Sequence, residues 1–311
     1  MKLAMVLPGQ GSQSVGMLKA YSGLPEVDAV RAEAVTALGD GFVKILDEGP
    51  PDQLNLTVNT QPAMVTAAIA AYRAWRSLGG PAPAIVAGHS LGEYSALVAA
   101  GALKLADALP LVRFRAQAMQ EAVPEGQGAM AAILGLDDDA ARAACAEAAQ
   151  GEAVQAVNFN APGQVIIAGH RSAVARAIEA CKARGAKRAM PLPVSAPFHS
   201  SLMQPAGVKL ALYLKDLSIE GPKIPVVNNV DVKIEVTAER IKDALVRQAA
   251  APVRWVETIR AMAAQGVTHV VECGPGKVLA GLVKRIDPKL QGIAAADRAS
   301  LEAALAAIKG G

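Results

Sequence analysis

The stretch Ala84–Gly101, AIVAGHSLGEYSALVAAG, decides how the rest of the chain is read. Its opening residues form a short apolar run that fits a buried strand. Its later part is rich in alanine and leucine and closes at Gly101, which fits a helix with a glycine stop. Between them stand Gly88, Ser90 and Gly92, spaced as Gly-x-Ser-x-Gly. A strand that becomes a helix so abruptly needs a tight, strained turn, and side chains at the flanking positions would clash. Such a turn lifts the serine hydroxyl above the sheet, with helix N–H groups and the positive end of the helix dipole behind it. Ser90 is therefore a candidate nucleophile, with helix capping as the bland alternative.

Working outward, the same α/β grammar recurs. Lys2–Leu7 reads as a short buried strand broken by PGQGSQ. TQPAMVTAAIAAYRAWRSL, from Thr60 to Leu78, reads as a long helix with Thr60 as a candidate cap. From Gly126 the pattern changes. GAMAAILGL reads as a strand, DDDAARAACAEAAQG as a helix with an acidic first turn, and AVQAVNFN and GQVIIAG as two strands joined at APG. RSAVARAIEACKARG and AKRAMPLPV then give a helix and a strand. The order β-α-β-β-α-β is that of a ferredoxin-like unit of roughly 70 residues. Afterwards IPVVNNV, TAERIKDALVRQAA, VTHVVECG and GKVLAGLVKRI resume strand and helix in alternation. The expected organisation is a larger α/β domain formed by residues 1–124 and 197–311, interrupted by a smaller domain at 125–196. A cleft between the two is the natural ligand site.

Bulk properties narrow the function classes. At 311 residues and 52% hydrophobic the chain has length and apolar content enough for a globular core, so disorder is excluded. Aromatics at 3% and a net charge of +3 argue against nucleic-acid binding. Cys145, Cys181 and Cys273 lack metal or redox spacing, as expected of a reducing compartment. The apolar run in MKLAMVLPGQ is too short for a signal-peptide core and no apolar run reaches membrane-spanning length, so neither a targeting signal nor a membrane helix is expected. The expectation is a cytoplasmic protein.

A serine hydroxyl needs a base. Four histidines are available. His89 adjoins Ser90, and neighbours at such a turn point apart. His269 lies in strand-like alternation, and His170 ends VIIAGH at a helix start. His199 sits in PVSAPFHSSL, a proline-rich loop where the chain returns from the smaller unit. Loops at such junctions line clefts, so His199 is the candidate base by elimination. A third, acidic member of a triad does not stand out. The DDD at 137–139 is better explained as a helix start, which leaves a backbone or amide carbonyl to orient the imidazole.

Taken together, LPGQGSQ, GHSLGEYSALVAAG, EAVPEGQGAMAAILGL, VNFNAPGQVIIAG, LPVSAPFHS, VVNNVD and ECGPGKVL resemble the malonyl-CoA:acyl carrier protein transacylases of fatty acid synthesis, nearly end to end. The resemblance implies an α/β-hydrolase-like larger domain with a ferredoxin-like insert. It implies that Ser90 accepts the acyl group, that His199 is the base, and that the carbonyl of Gln248 orients it. Gln10 and Leu91 match positions whose N–H groups form an oxyanion hole. Arg115 matches an arginine that clamps the malonyl carboxylate; Arg113, two residues away, faces elsewhere on a helix. Pro110 must start or kink that helix. Gln61 and Asn160 match positions near the pocket. Phe198, bulky and next to the base, is expected to narrow the space at the acyl α-carbon, since related acyltransferases that accept branched units carry a smaller residue there.

The implied partners are malonyl-CoA and acyl carrier protein, with no metal or other cofactor, acting on a monomer. Three rivals remain. A serine hydrolase or thioesterase shares the elbow but predicts an acid on a loop and no role for Arg115. A trans-acting acyltransferase of a polyketide synthase belongs to the same family. A nucleotide-binding module fits poorly, because GQGSQS lacks the third glycine of a dinucleotide fingerprint and GPGKV lacks full phosphate-loop spacing.

Overall fold

A computed structural model describes residues 1–194 and 196–310. It contains two separate sheets. The first holds β1 (Leu3–Leu7), β2 (Ile85–Gly88), β7 (Val226–Val227), β8 (His269–Cys273) and β9 (Gln291–Ala295), in the order β7-β2-β1-β8-β9 and parallel throughout. The second holds β3 (Gly128–Leu134), β4 (Val154–Ala161), β5 (Gln164–His170) and β6 (Arg188–Pro191), in the order β4-β5-β3-β6 with every neighbour antiparallel.

The parallel sheet is covered on both faces, as its near-continuous apolar strands require. On one side lie the helices Thr57–Ser77, Gly92–Ala99 and Leu105–Glu121, with Met5, Leu7 and Val86 pointing into that core. On the other lie Trp255–Ala264 and Val278–Ile286, packed on Ala4, Val6 and Ile85. The antiparallel sheet is covered on one face by helices Asp138–Ala149 and Arg171–Ala183. Its second face carries Met130, Val157, Ile166 and Ala168, against which Leu192, Val194 and Phe198 rest. That face turns towards the parallel sheet's elbow and becomes one wall of a cleft.

Backbone hydrogen bonds tie the antiparallel sheet to a loop packed against the parallel one. The Phe159 N–H donates to the Val253 carbonyl and the Val253 N–H to the Val157 carbonyl, at 3.0 and 2.8 Å, so β4 is anchored to the loop before Trp255–Ala264.

Several expectations shift. The long helix starts at Thr57, three residues early, and Thr60 does not cap it: its hydroxyl donates to the carbonyls of Leu54 and Leu56, which precede the helix. The helix carrying Arg115 begins at Leu105, so Pro110 does not start it but sits inside it. The IPVVNNV strand shrinks to two residues. All three cysteines are free and buried. No helix of the described residues is long and apolar enough to cross a membrane.

Candidate active site

The elbow has the geometry its glycines imply. Ser90 has φ of 52°, a left-handed conformation that strains a residue with a side chain. A Cβ on Gly88 would fall 1.8 Å from the Gly92 backbone, and one on Gly92 would fall 2.1 Å from the Leu7 carbonyl oxygen. Either substitution would force the turn apart. The reward is position: Ser90 Oγ stands over the C-terminal edge of the parallel sheet, at the N-terminus of Gly92–Ala99.

His199 meets it there. Its Nε2 lies 2.6 Å from Ser90 Oγ, and its Nδ1 lies 2.9 Å from the carbonyl oxygen of Gln248, the last residue of the helix Ala238–Gln248. A carbonyl only accepts, so Nδ1 carries the proton and Nε2 is left to accept from the hydroxyl. His199 also has a positive φ of 63°, which aims the ring from its loop. Burial and the neighbouring Arg115 charge pull the imidazole down to about 3, so it is neutral and able to act as a base at neutral pH.

Arg115 reaches the same point from helix Leu105–Glu121 at 2% exposure. Its Nη1 donates to Gln61 Oε1 at 2.8 Å, and its Nη2 to Gln248 Oε1 at 3.0 Å and Ser90 Oγ at 3.3 Å. Its guanidinium lies over the Tyr94 ring, 5.3 Å from the centroid, and its Nε has no partner among the described residues. Arg113 instead stacks on Phe42, away from the site.

Gln10 and Leu91 also line the cleft, and the backbone N–H of neither has an acceptor among the described residues. The cleft has a volume of about 680 Å3. Gln61, Ser90 and Arg115 form its floor, and Met130, Ile166, Leu192, Val194 and Phe198 form an apolar wall.

Asn160 stands just behind the cleft rather than on its lining: its Oδ1 lies 2.8 Å from Nε2 of His89, a lining residue whose ring also meets Trp255 edge-on at 5.3 Å. Asn158, two residues earlier on β4, lines the cleft instead. Period-2 alternation puts 158 and 160 on one face, so sequence alone does not separate them.

Two residues that sequence reasoning passed over complete the site. Glu93, in the first turn of Gly92–Ala99, is buried, and its Oε2 accepts from Gln248 Nε2 and from the Asn229 N–H, each at 2.9 Å. Asn229 accepts the Ser90 N–H at 2.7 Å through Oδ1 and donates to the Gly88 carbonyl at 2.7 Å through Nδ2. Gln248 Nε2 donates also to the Ser90 carbonyl at 3.0 Å. Burial pushes the Glu93 carboxyl up to about 7, against the pull of those hydrogen bonds. The signal for Glu93 and Asn229 lay in GHSLGE and VVNNVD, motifs with no local reason to touch.

Among the described residues no carboxylate contacts His199, so the arrangement is a serine–histidine pair oriented by a backbone carbonyl. A buried cation within reach of the nucleophile suits an acyl group that carries its own carboxylate. Comparison with known proteins agrees with this chemistry. The family model described as "Acyl transferase domain" matches residues 4–297. The malonyl CoA-acyl carrier protein transacylase of Escherichia coli (strain K12) is 56% identical over 305 residues, covering 98% of this chain and 99% of the relative. The crystal structure of an acyl-carrier-protein S-malonyltransferase from Burkholderia pseudomallei 1710b is 62% identical, with a TM-score of 0.96, covering 98% of this chain and all of the other. A malonyl-transacylase in complex with a type II polyketide synthase acyl-carrier protein is 52% identical, with a TM-score of 0.97, over 99% of this chain and all of the other.

Proposed function

This chain belongs to the acyl transferase family, and from that premise we propose that it moves the malonyl group of malonyl-CoA to the phosphopantetheine thiol of acyl carrier protein, supplying extender units for fatty acid synthesis. The observation that carries the reading is the meeting of Ser90 Oγ with both His199 Nε2 and Arg115 Nη2.

The reaction runs in two halves. His199 Nε2 takes the Ser90 proton while Oγ attacks the thioester carbonyl. The oxyanion sits between the N–H groups of Gln10 and Leu91, each donor worth roughly 100–1000-fold. As the tetrahedral adduct collapses, the C–S bond breaks and His199 returns the proton to the departing coenzyme A sulfur. The carrier thiol then gives its proton to His199 and attacks the malonyl-serine ester, and Ser90 leaves as the hydroxyl. The malonyl carboxylate lies one methylene beyond the ester carbonyl, close enough to fold back onto Arg115. No step calls on a metal or redox group; the only small molecule the scheme needs is the acyl donor.

The antiparallel order β4-β5-β3-β6, joined as β-α-β-β-α-β, supports reading residues 125–196 as a ferredoxin-like domain inserted into an α/β-hydrolase-like one. Three buried, unpaired cysteines support a reducing, cytoplasmic setting, and the self-contained site supports a monomer. The likeness to a transacylase bound to a polyketide carrier favours one second reading, delivery to such a carrier by the same chemistry. Mass spectrometry after brief exposure to malonyl-CoA tests the whole. A malonyl adduct on Ser90, absent in Ser90→Ala and discharged by holo-acyl carrier protein, is expected. An adduct on Cys273 or another serine, or release to water as fast as to the carrier, overturns it.

A further inference from the structure

Gln248 does two separate jobs. Its backbone carbonyl orients His199, and its side-chain amide stands between the elbow and Arg115. The amide is polar in one direction: Oε1 faces the guanidinium, and Nε2 faces the Ser90 carbonyl and Glu93. Turning it over would set –NH2 against the guanidinium donors and an oxygen against two acceptors. That polarity is what makes Gln248 an acceptor for Arg115, and it depends on what stands at the far end. The Ser90 carbonyl and the ionised form of Glu93 accept only, so together they forbid the turned amide.

We propose that Glu93 is a positioning residue for acyl selection: it fixes the polarity of the Gln248 amide, and through it seats the guanidinium that receives the acyl carboxylate. The proposal rests on the acyl-transfer reading above. Three observations carry it. Arg115 is buried with no carboxylate among its partners, so its seat is built from neutral oxygens that must all point the right way. Glu93 is the carboxylate nearest that seat in bonding terms, one amide away. Its own Oε2 is pinned by the Asn229 N–H, and Asn229 holds the Ser90 N–H and the Gly88 carbonyl, so Glu93 is referenced to the nucleophile's own turn. A direct Glu93–Arg115 ion pair would compete with the substrate carboxylate. A pair relayed through an amide steadies the guanidinium and leaves its charge available.

Glu93→Gln keeps the shape but removes the charge, and its amide can turn to accommodate a turned Gln248. Two rates are read on Ser90: acylation by malonyl-CoA, and labelling by an uncharged fluorophosphonate, which needs the elbow and His199 but has no carboxylate for Arg115. Malonylation should fall about tenfold or more, chiefly through KM, the scale of one charged hydrogen bond, with fluorophosphonate labelling falling less. Glu93→Asp, which restores an acceptor-only group, should recover part of the malonyl rate and none of any labelling loss. Equal loss in both rates, or loss in neither, overturns the proposal. Should Glu93→Gln not fold, Gln248→Met keeps the carbonyl to His199 and removes the amide; it should show the same selective loss, and equal losses again overturn it. Failure of the wild-type protein to be malonylated at Ser90 would strike the acyl-transfer reading instead.

Discussion

Arg115 carries a full positive charge at 2% exposure, and its hydrogen bonds go to Gln61, Ser90 and Gln248, none of them charged. A buried charge with no anion in direct contact is costly, Glu93 standing one amide away, and on the proposed reading the acyl group brings the contacting anion. The same charge keeps His199 a weak base in the empty site, lowering it alongside burial. A malonyl carboxylate on Arg115 offsets that influence, so the imidazole becomes a better proton acceptor when the right acyl group is present; an acetyl group gives no such help. Hydrogen bonds to charged groups are worth roughly 1.5–3 kcal/mol each, so Arg115→Ala should cost on the order of 100-fold or more in malonyl transfer to the carrier. Acetyl transfer should hold or rise in the same variant, and Arg115→Lys should recover little, since an ammonium lacks the planar fork. Equal slowing of both acyl groups in a carrier-loading assay would make Arg115 structural. Gln248 is recast by the same contacts. The backbone carbonyl alone would make Gln248→Ala mild, whereas an amide bonded to Arg115, Ser90 and Glu93 makes the side chain a participant.

At the scale of elements, Glu272 at the end of β8 shows how the parallel sheet manages its helix ends. Its Oε2 accepts the Ala280 N–H in the first turn of Val278–Ile286, while its Oε1 has no partner among the described residues. Burial pushes this carboxyl from 4.5 up to about 7, so the folded protein holds a proton that the unfolded chain releases. Stability on this account is full below about pH 4.5 and falls as pH rises towards 7. Glu272→Gln keeps the cap acceptor without the charge. It should be more stable than wild type at pH 8, by something on the order of 3 kcal/mol, with the gap closing by pH 5. Denaturant unfolding at several pH values reads this directly, and a gap independent of pH would refute it. Which elements the sequence disclosed follows the same physics. The elbow and the helix start at Asp137 are local signals, and each appears where its pattern places it. β9 is QGIAA, half exposed and poor in β-branched residues, and nothing in it announces a strand. Ser90 and His199 were legible from a turn and a process of elimination. Glu93, Asn229 and the Gln248 amide join residues more than a hundred positions apart, which no local periodicity encodes.

Across the whole molecule, the cleft draws its two kinds of contact from different sheets. The polar groups around the buried cation, Gln61, Arg115 and the elbow, belong to the parallel-sheet side. The apolar wall of Met130, Ile166, Leu192 and Val194 belongs to the antiparallel side, and Phe198 closes it beside His199. Phe198 is only partly buried and lines the cleft, so on the proposed reading trimming it enlarges the space at the acyl α-carbon. Phe198→Ser should raise methylmalonyl transfer relative to malonyl by about tenfold, the worth of one or two methylenes in an apolar pocket. An unchanged ratio in competition between the two thioesters would show that Phe198 merely fills the loop.

This division of labour makes the pocket separable in descent. On the proposed reading, one part of the chain writes that the acyl group must end in a carboxylate and another writes how wide it may be. A lineage can therefore drift towards branched extender units by changes confined to the antiparallel wall, without disturbing the nucleophile or its cation. The reverse drift, towards uncharged acyl groups, has no such freedom. Arg115 shares its partners with the elbow and with Gln248, so losing the taste for charge means rebuilding the turn that performs the chemistry.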